Sequence, residues 1–209
     1  MTPLAATRRV LRRVRYGEPI VVVTGLPRSG TSMMMQMLEA GGVAPVTDGV
    51  READESNPRG YYELERVKDL EQTSEWAWLS DARGRAVKII AYLVRFLPEK
   101  FNYRVVFMHR SLDEILTSQT RMLERLGETT DTSDARMKTL YVDHVARAKS
   151  YLAHRPCFEV LHMKYHDVLR DGAGHAEELN RFLGGRLDAR AMTAVVDPEL
   201  HRNRDGSLR

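Results

Sequence analysis

The chain has 209 residues, 43% hydrophobic and 29% charged, a balance that suits a folded globular protein and excludes a fibrous or disordered one. Its 32 Lys and Arg against 29 Asp and Glu give a net charge of +3 and a pI near 9.1. Local basic patches for an anionic cofactor or substrate are expected, but the excess is too small for a nucleic-acid binder. Cys157 is the sole cysteine and cannot close an intramolecular disulfide, and no apolar run reaches membrane-spanning length. A cytoplasmic protein without stable membrane insertion is the expectation, organised as a single domain over 1–209 with a basic arm at 1–18 and a basic tail at 197–209.

The arm, Thr7-Arg8-Arg9-Val10-Leu11-Arg12-Arg13-Val14-Arg15, reads as a short solvated helix with Val10, Leu11 and Val14 packed on the body. A membrane-surface or targeting helix is the other reading of the same pattern. Ile20 to Val23 is an apolar run that predicts a strand. Thr24-Gly25 stops it, and the short loop Leu26-Pro27-Arg28-Ser29-Gly30 leads into a helix at Thr31-Ser32. Met34, Met37 and Leu38 recur there at the spacing of a buried helix face, and Gly41-Gly42 ends it. The amides of a first helical turn have no intrahelical acceptor and sit at the positive end of the helix dipole, so this junction is an anion cradle, to which Arg28 adds a full charge. Gly25 and Gly30 have the spacing of an ATP- or GTP-binding loop, but Thr31 stands where that loop carries its lysine, which disfavours a nucleoside triphosphatase.

Thr47 to Gly60 is polar and rich in turn residues, and Tyr61-Tyr62-Glu63 opens an expected helix with Leu64, Val67 and Leu70 on one face. Ala86 to Ile90 reads as a short buried strand interrupted by Lys88, whose charge must reach a strand end, water or an anion. Arg104 to Met108 is a second strong strand, ending at His109-Arg110. Ser111 and Glu114 have the spacing of a capping box, and a helix with a 3.6-residue apolar period follows through Leu126. Arg110 lies at a strand C-terminus, where ligands collect in open α/β sheets. Ser118 stands on the same helix face about 10 Å along the axis, so the two side chains can converge on one phosphate. A helix is expected from Asp134 to Leu152, with His144 as a packed histidine beside Leu140, Tyr141 and Ala148. Phe158 to Met163 is a further strand followed by Tyr165-His166-Asp167, and Leu179, Phe182 and Leu183 mark a last helix ended by Gly184-Gly185.

Pro27-Arg28-Ser29-Gly30-Thr31-Ser32 resembles the 5′-phosphosulfate loop of sulfotransferases, the enzymes that use 3′-phosphoadenosine 5′-phosphosulfate (PAPS). Asn57-Pro58-Arg59-Gly60-Tyr61-Tyr62-Glu63 is similar to a segment common in bacterial members. Arg110 and Ser118 resemble the family's 3′-phosphate pair, and Tyr165-His166-Asp167 its Tyr-Glu-Asp, whose tyrosine contacts adenine. The resemblance implies a three-layer α/β sandwich with a central parallel sheet and P-loop NTPase-like topology, binding PAPS with no metal. It implies cofactor binding by Arg28, Ser29, Gly30, Thr31, Ser32, Arg110, Ser118 and Tyr165, with Arg202 or Arg204 of the tail closing over the ligand.

Sulfuryl transfer needs in-line alignment and cations around the equatorial and leaving oxygens. The resemblance gives Arg28 the leaving phosphate oxygen and Lys88 the sulfuryl group. Cytosolic members carry a histidine base two residues after that lysine; here Ile90 stands there and cannot accept a proton. A carboxylate is then the expected base, Glu63 first, with Asp54 and Glu55 next. The implied reaction is transfer to a hydroxyl of a small molecule, glycan or lipid, with acceptor-facing residues in the 43–62 and 126–140 loops. The alternatives are a nucleotide-dependent kinase and a nucleotide-binding protein without catalysis.

Overall fold

The computed structural model describes residues 3–48, 62–72, 75–127 and 134–197, with side chains left out over 3–9, 125–126 and 134. In chain order the elements are α1 (Pro3–Tyr16), β1 (Ile20–Thr24), α2 (Thr31–Ala40), α3 (Ala77–Asp81), β2 (Ala86–Lys88), β3 (Tyr103–His109), α4 (Leu112–Leu126), α5 (Asp134–Ala153), β4 (Phe158–Lys164), α6 (Tyr165–Arg170), α7 (Gly172–Leu183) and α8 (Ala189–Ala194). Two 3₁₀ segments, Glu65–Glu71 and Ala91–Phe96, complete them.

Every residue of β1 is buried, as a strand covered on both faces requires, and its β-branched run Ile-Val-Val-Val-Thr suits that place. Among the described residues the sheet has four parallel strands in the order β2-β1-β3-β4. Val22 lies opposite Val87 on one side and Val105 on the other, and Val105 opposite Val160. The chain leaves β1 towards one edge to make β2 and crosses to the other side for β3. Strand order therefore reverses between β1 and β3, and a crevice opens at their C-terminal ends.

Successive side chains of a strand point to opposite faces, and the core divides accordingly. Ile20, Val22, Tyr103, Val105 and Phe107 pack under Ala148 and Leu152 of α5 and under Leu93 and Val94. Val21, Val23, Val106 and Met108 pack under Met34, Met35, Met37 and Leu38 of α2, with Leu179 of α7 and Met192 of α8. This is the three-layer α/β sandwich with a parallel core that the sequence predicts.

Several local expectations are corrected. The helix predicted from Tyr61 begins only at Glu65 and is a 3₁₀ segment, although Val67 and Leu70 are buried as expected. The capping box does not form: Ser111 makes no side-chain cap, and Glu114 turns to Arg110 and His166. His144 is half-buried against the Tyr92 ring, centroids 5.0 Å apart. Val10, Leu11 and Val14 of α1 are not packed on the body: they are 62%, 65% and 83% exposed. What anchors α1 is Arg12, which donates to Asn102 Oδ1 at 3.0 Å and to the carbonyls of Glu99 and Phe101 at 2.8 and 3.0 Å.

Past Lys88 the chain keeps alongside β1, with Ile89 N donating to Val23 O and Ala91 N to Gly25 O, both at 2.9 Å. Gly25, φ 156°, is pressed between this segment and the end of β3. A Cβ there would stand 2.8 Å from the Met108 carbonyl oxygen and collide with Ser29 Oγ. Because one obstacle is backbone, Gly25→Ala is expected to lower stability by about 2 kcal/mol or more in urea unfolding; a loss below about 0.5 kcal/mol would show that the loop yields freely.

Candidate active site at the ends of the first and third strands

The loop between β1 and α2 is held in an unusual backbone path. Arg28 has φ 66°, left-handed for a residue with a Cβ, and Gly30 follows at φ 95° as the residue before α2. Ser29 N donates to Leu26 O at 3.2 Å, closing the turn. Gly30 has no room for a side chain, since a Cβ would lie 2.5 Å from the Tyr165 ring. Thr31 and Ser32, half-buried, open α2 with no side-chain cap on its first-turn amides. Thr24 Oγ1 and Ser29 Oγ are buried beneath this turn without a hydrogen-bond partner among the described residues. Buried hydroxyls with hydrogen-bonding capacity to spare, beside helix-start amides, suit an anion cradle.

Arg28 ties this loop to the helix after β3. Its Nε donates to Ser118 Oγ at 3.0 Å, and its carbonyl accepts from Arg110 Nη1 at 3.1 Å. The sequence places Arg110 and Ser118 on one phosphate; in the structure they are linked through Arg28. Arg110 also donates from Nε to Glu114 Oε2 at 2.8 Å, and its guanidinium lies 4.4 Å from the Tyr165 ring centroid. The other Glu114 oxygen meets His166 Nε2 at 2.7 Å. Burial works against the charge on Glu114, but the hydrogen bonds from Arg110 and His166 outweigh it and hold the carboxyl below its ordinary range. Burial raises the Tyr165 phenol against the pull of Arg110. Thus Arg28, Ser29, Gly30, Arg110, Ser118 and Tyr165, six residues the sequence singles out, meet in one crevice.

A second pair stands at the end of β2. Lys88 Nζ lies 3.6 Å from Glu63 Oε1, with both side chains largely buried. Glu63 is set there by its backbone, whose carbonyl accepts from Thr47 Oγ1 at 2.8 Å and from Asp48 N at 3.4 Å. Ile90, where the resembling enzymes carry a histidine, is 43% exposed and offers no proton acceptor. Asp54, Glu55, the Asn57–Tyr61 part of the bacterial-type segment, Arg202 and Arg204 lie outside the described residues.

Sequence reasoning missed Glu114 as the partner of Arg110, and it missed His109. His109 Nε2 lies 2.9 Å from His162 Nδ1, and its ring stacks on Phe107 with centroids 4.8 Å apart. Burial, with Lys149, His162 and Lys164 nearby, pushes it down to about 4, so it is a neutral imidazole near pH 7. It borders a cavity of about 350 Å³ that shares Ser29 and Arg110 with the crevice and takes apolar walls from Leu26, Ile115 and Tyr141. The signal available in the sequence was position alone: a histidine directly before the strand-end arginine.

A parallel α/β sheet whose first strand feeds a glycine-bounded anion loop, with cations from the loop and the next strand end converging on it, defines a protein of the P-loop-like, phosphoryl- or sulfuryl-handling class. The sulfotransferase domain family matches residues 18–199, and the chain belongs to that family. Its fold is similar to sulfotransferase STF1 from Mycobacterium tuberculosis H37Rv, at 17% identity and TM-score 0.54, covering 91% of this chain and 77% of that one. It is likewise similar to a sulfotransferase domain from the curacin biosynthetic pathway, at 11% identity and TM-score 0.54, covering 88% and 89%. No curated protein matches in sequence.

Two outcomes are expected from the geometry. Arg28→Gly should be less destabilising than Arg28→Ala by about 1 kcal/mol, because glycine adopts φ 66° without strain; equal losses in denaturant unfolding would contradict a strained loop. For Glu114 the sign follows from its depressed folded value: the carboxylate contributes stability at neutral pH that is lost as pH falls through that value. The stability advantage of wild type over Glu114→Gln should therefore be greatest near neutrality and shrink as pH drops below about 5. A difference independent of pH would remove the carboxylate from the account.

Proposed function

We propose that the protein is a PAPS-dependent sulfotransferase acting on an acceptor hydroxyl. The observation that carries this reading is the joining of Arg28, Arg110, Ser118 and Tyr165 beside a glycine-bounded loop that lacks the lysine of a nucleoside triphosphatase. The residues present suit such a ligand: two buried hydroxyls without partners, helix-start amides and arginines on either side of the crevice.

When bound, PAPS supplies a sulfuryl group on an anionic leaving group. Ser29, Gly30, Thr31 and Ser32 would hold the 5′-phosphate through amides and hydroxyls, and Arg28 would offset charge on the leaving phosphate oxygen. Arg110 and Ser118 would receive the 3′-phosphate, Tyr165 would face adenine, and Arg202 is the tail residue that would close over the ligand. Lys88 neutralises sulfuryl oxygens. Glu63 would take the proton of the acceptor hydroxyl. Glu55 is the second carboxylate for that role. The acceptor is a hydroxyl of a small molecule, glycan or lipid, reached from the Lys88–Glu63 side.

Calorimetric titration with 3′-phosphoadenosine 5′-phosphate, against 5′-AMP and against ATP with Mg²⁺, tests the cofactor. Binding should require the 3′-phosphate and weaken by at least about tenfold in Arg110→Ala. Preference for ATP with Mg²⁺ would replace this reading by a kinase. In an acceptor screen Glu63→Gln should lower kcat by about 10²–10⁴ with nucleotide affinity kept. An unaltered kcat and pH profile would leave Glu63 only the task of positioning Lys88.

A further inference from the structure

Helix α1 carries five arginines, Arg8, Arg9, Arg12, Arg13 and Arg15, and no acidic residue. Its Val10, Leu11 and Val14 are turned away from the protein. At about 100° per residue, Val10, Leu11 and Val14 form one stripe, with Arg12 roughly 150° round the helix from its middle. Arg12 is bonded to the body through Asn102 and the carbonyls of Glu99 and Phe101, and the Tyr16 carbonyl accepts from Arg83 Nε at 3.1 Å. Asn102 in turn donates from Nδ2 to the carbonyls of Arg12 and Gly17, at 3.0 and 2.9 Å, which clamps the C-terminal half of the helix from the opposite side to the stripe. The exposure of Val10, Leu11 and Val14 is thus a consequence of how α1 is attached. Arg13 and Arg15 flank the stripe at about 100° on either side. Arg13 pairs with Glu18, and the Arg15 guanidinium lies 5.1 Å from the Tyr16 ring centroid.

We propose that this face of α1 docks the protein on anionic lipid bilayers, lying in the interface without spanning it. An exposed apolar stripe bordered by long cationic side chains matches the layering of a bilayer surface, with methyl groups at the acyl boundary and guanidinium groups at the phosphates. The charge selects this occupant: a second copy of α1 would bring arginine against arginine. No helix among the described residues is long and apolar enough to cross a membrane, so contact stays at the surface. The attachment also fixes orientation. Asn102 and Gly17 precede β3 and β1, whereas the loop at Arg28 and the strand end at Arg110 follow them. The length of β3, roughly 20 Å, separates the two ends, so a docked molecule presents its crevice away from the lipid.

Flotation of the full chain with vesicles of phosphatidylcholine plus phosphatidylglycerol, and of phosphatidylcholine alone, tests this at low and high salt. Binding to the anionic vesicles only, weakened by salt, is expected. Leu11→Asp with Val14→Asp should reduce it by about tenfold or more. Both positions are exposed, so unfolding temperature should not move. Val14→Trp should bind more tightly and shift its emission to the blue on adding anionic vesicles, a gain that impaired folding cannot mimic. No flotation, equal flotation with neutral vesicles, or flotation indifferent to these substitutions would overturn the proposal. So would concentration-dependent self-association that the aspartates abolish, which would assign the face to a second copy.

Discussion

Everything at the crevice depends on Arg28 holding two secondary structures at once. Its carbonyl takes a hydrogen bond from the end of β3, and its guanidinium gives one to α4, while its own backbone sits in a conformation that residues with a Cβ avoid. A loop of this length between a strand and a helix has few ways to close. The left-handed turn at Arg28 and Gly30 directs the following amides along the start of α2, and the two contacts stop the turn from relaxing. A cost of about 1–2 kcal/mol for that backbone is tolerable only where neighbouring groups over-determine it. They do so here because β1 and β3 are adjacent strands, and the reversal of strand order leaves their C-terminal ends uncovered.

The second constraint is charge. A cation buried in a crevice without a counterion costs several kcal/mol, so Arg110 and Lys88 come with carboxylates already beside them. Arg110 is the better insulated: Glu114 accepts from it and is itself held by His166. Lys88 and Glu63 stand further apart, at 3.6 Å, and Glu63 is fixed through its backbone.

How much of this was legible in the sequence follows from how local each signal is. The β1–loop–α2 unit could be read whole because strand run, glycines and helix period are contiguous. Strands β2, β3 and β4 announced themselves by apolar composition. The Ser111–Glu114 spacing was misread because two partners compete for one glutamate. A charge-assisted bond from a guanidinium four residues back is stronger than one to a neutral backbone amide, and it won. The Lys88–Glu63 distance was beyond reach, since it depends on how the chain returns after α2 to lie beside the end of β2. Periodicity in α1 named the residues that share a face but not which face meets the body. That was decided by Asn102, a distant polar residue whose side-chain bonds nothing in the α1 sequence announces.

The site and α1 are two uses of arginine separated by the length of the sheet. At the C-terminal ends of the strands, arginine is half-buried and bonded on several sides, so its charge is fixed in place. On α1 it is repeated five times in 14 residues, beside the exposed Val10, Leu11 and Val14. Net charge of +3 conceals this division, because the acids that lower it are not spread evenly: Glu63 and Glu114 sit at the crevice, and α1 has none. Distribution of charge, not its sum, is what distinguishes the crevice from α1.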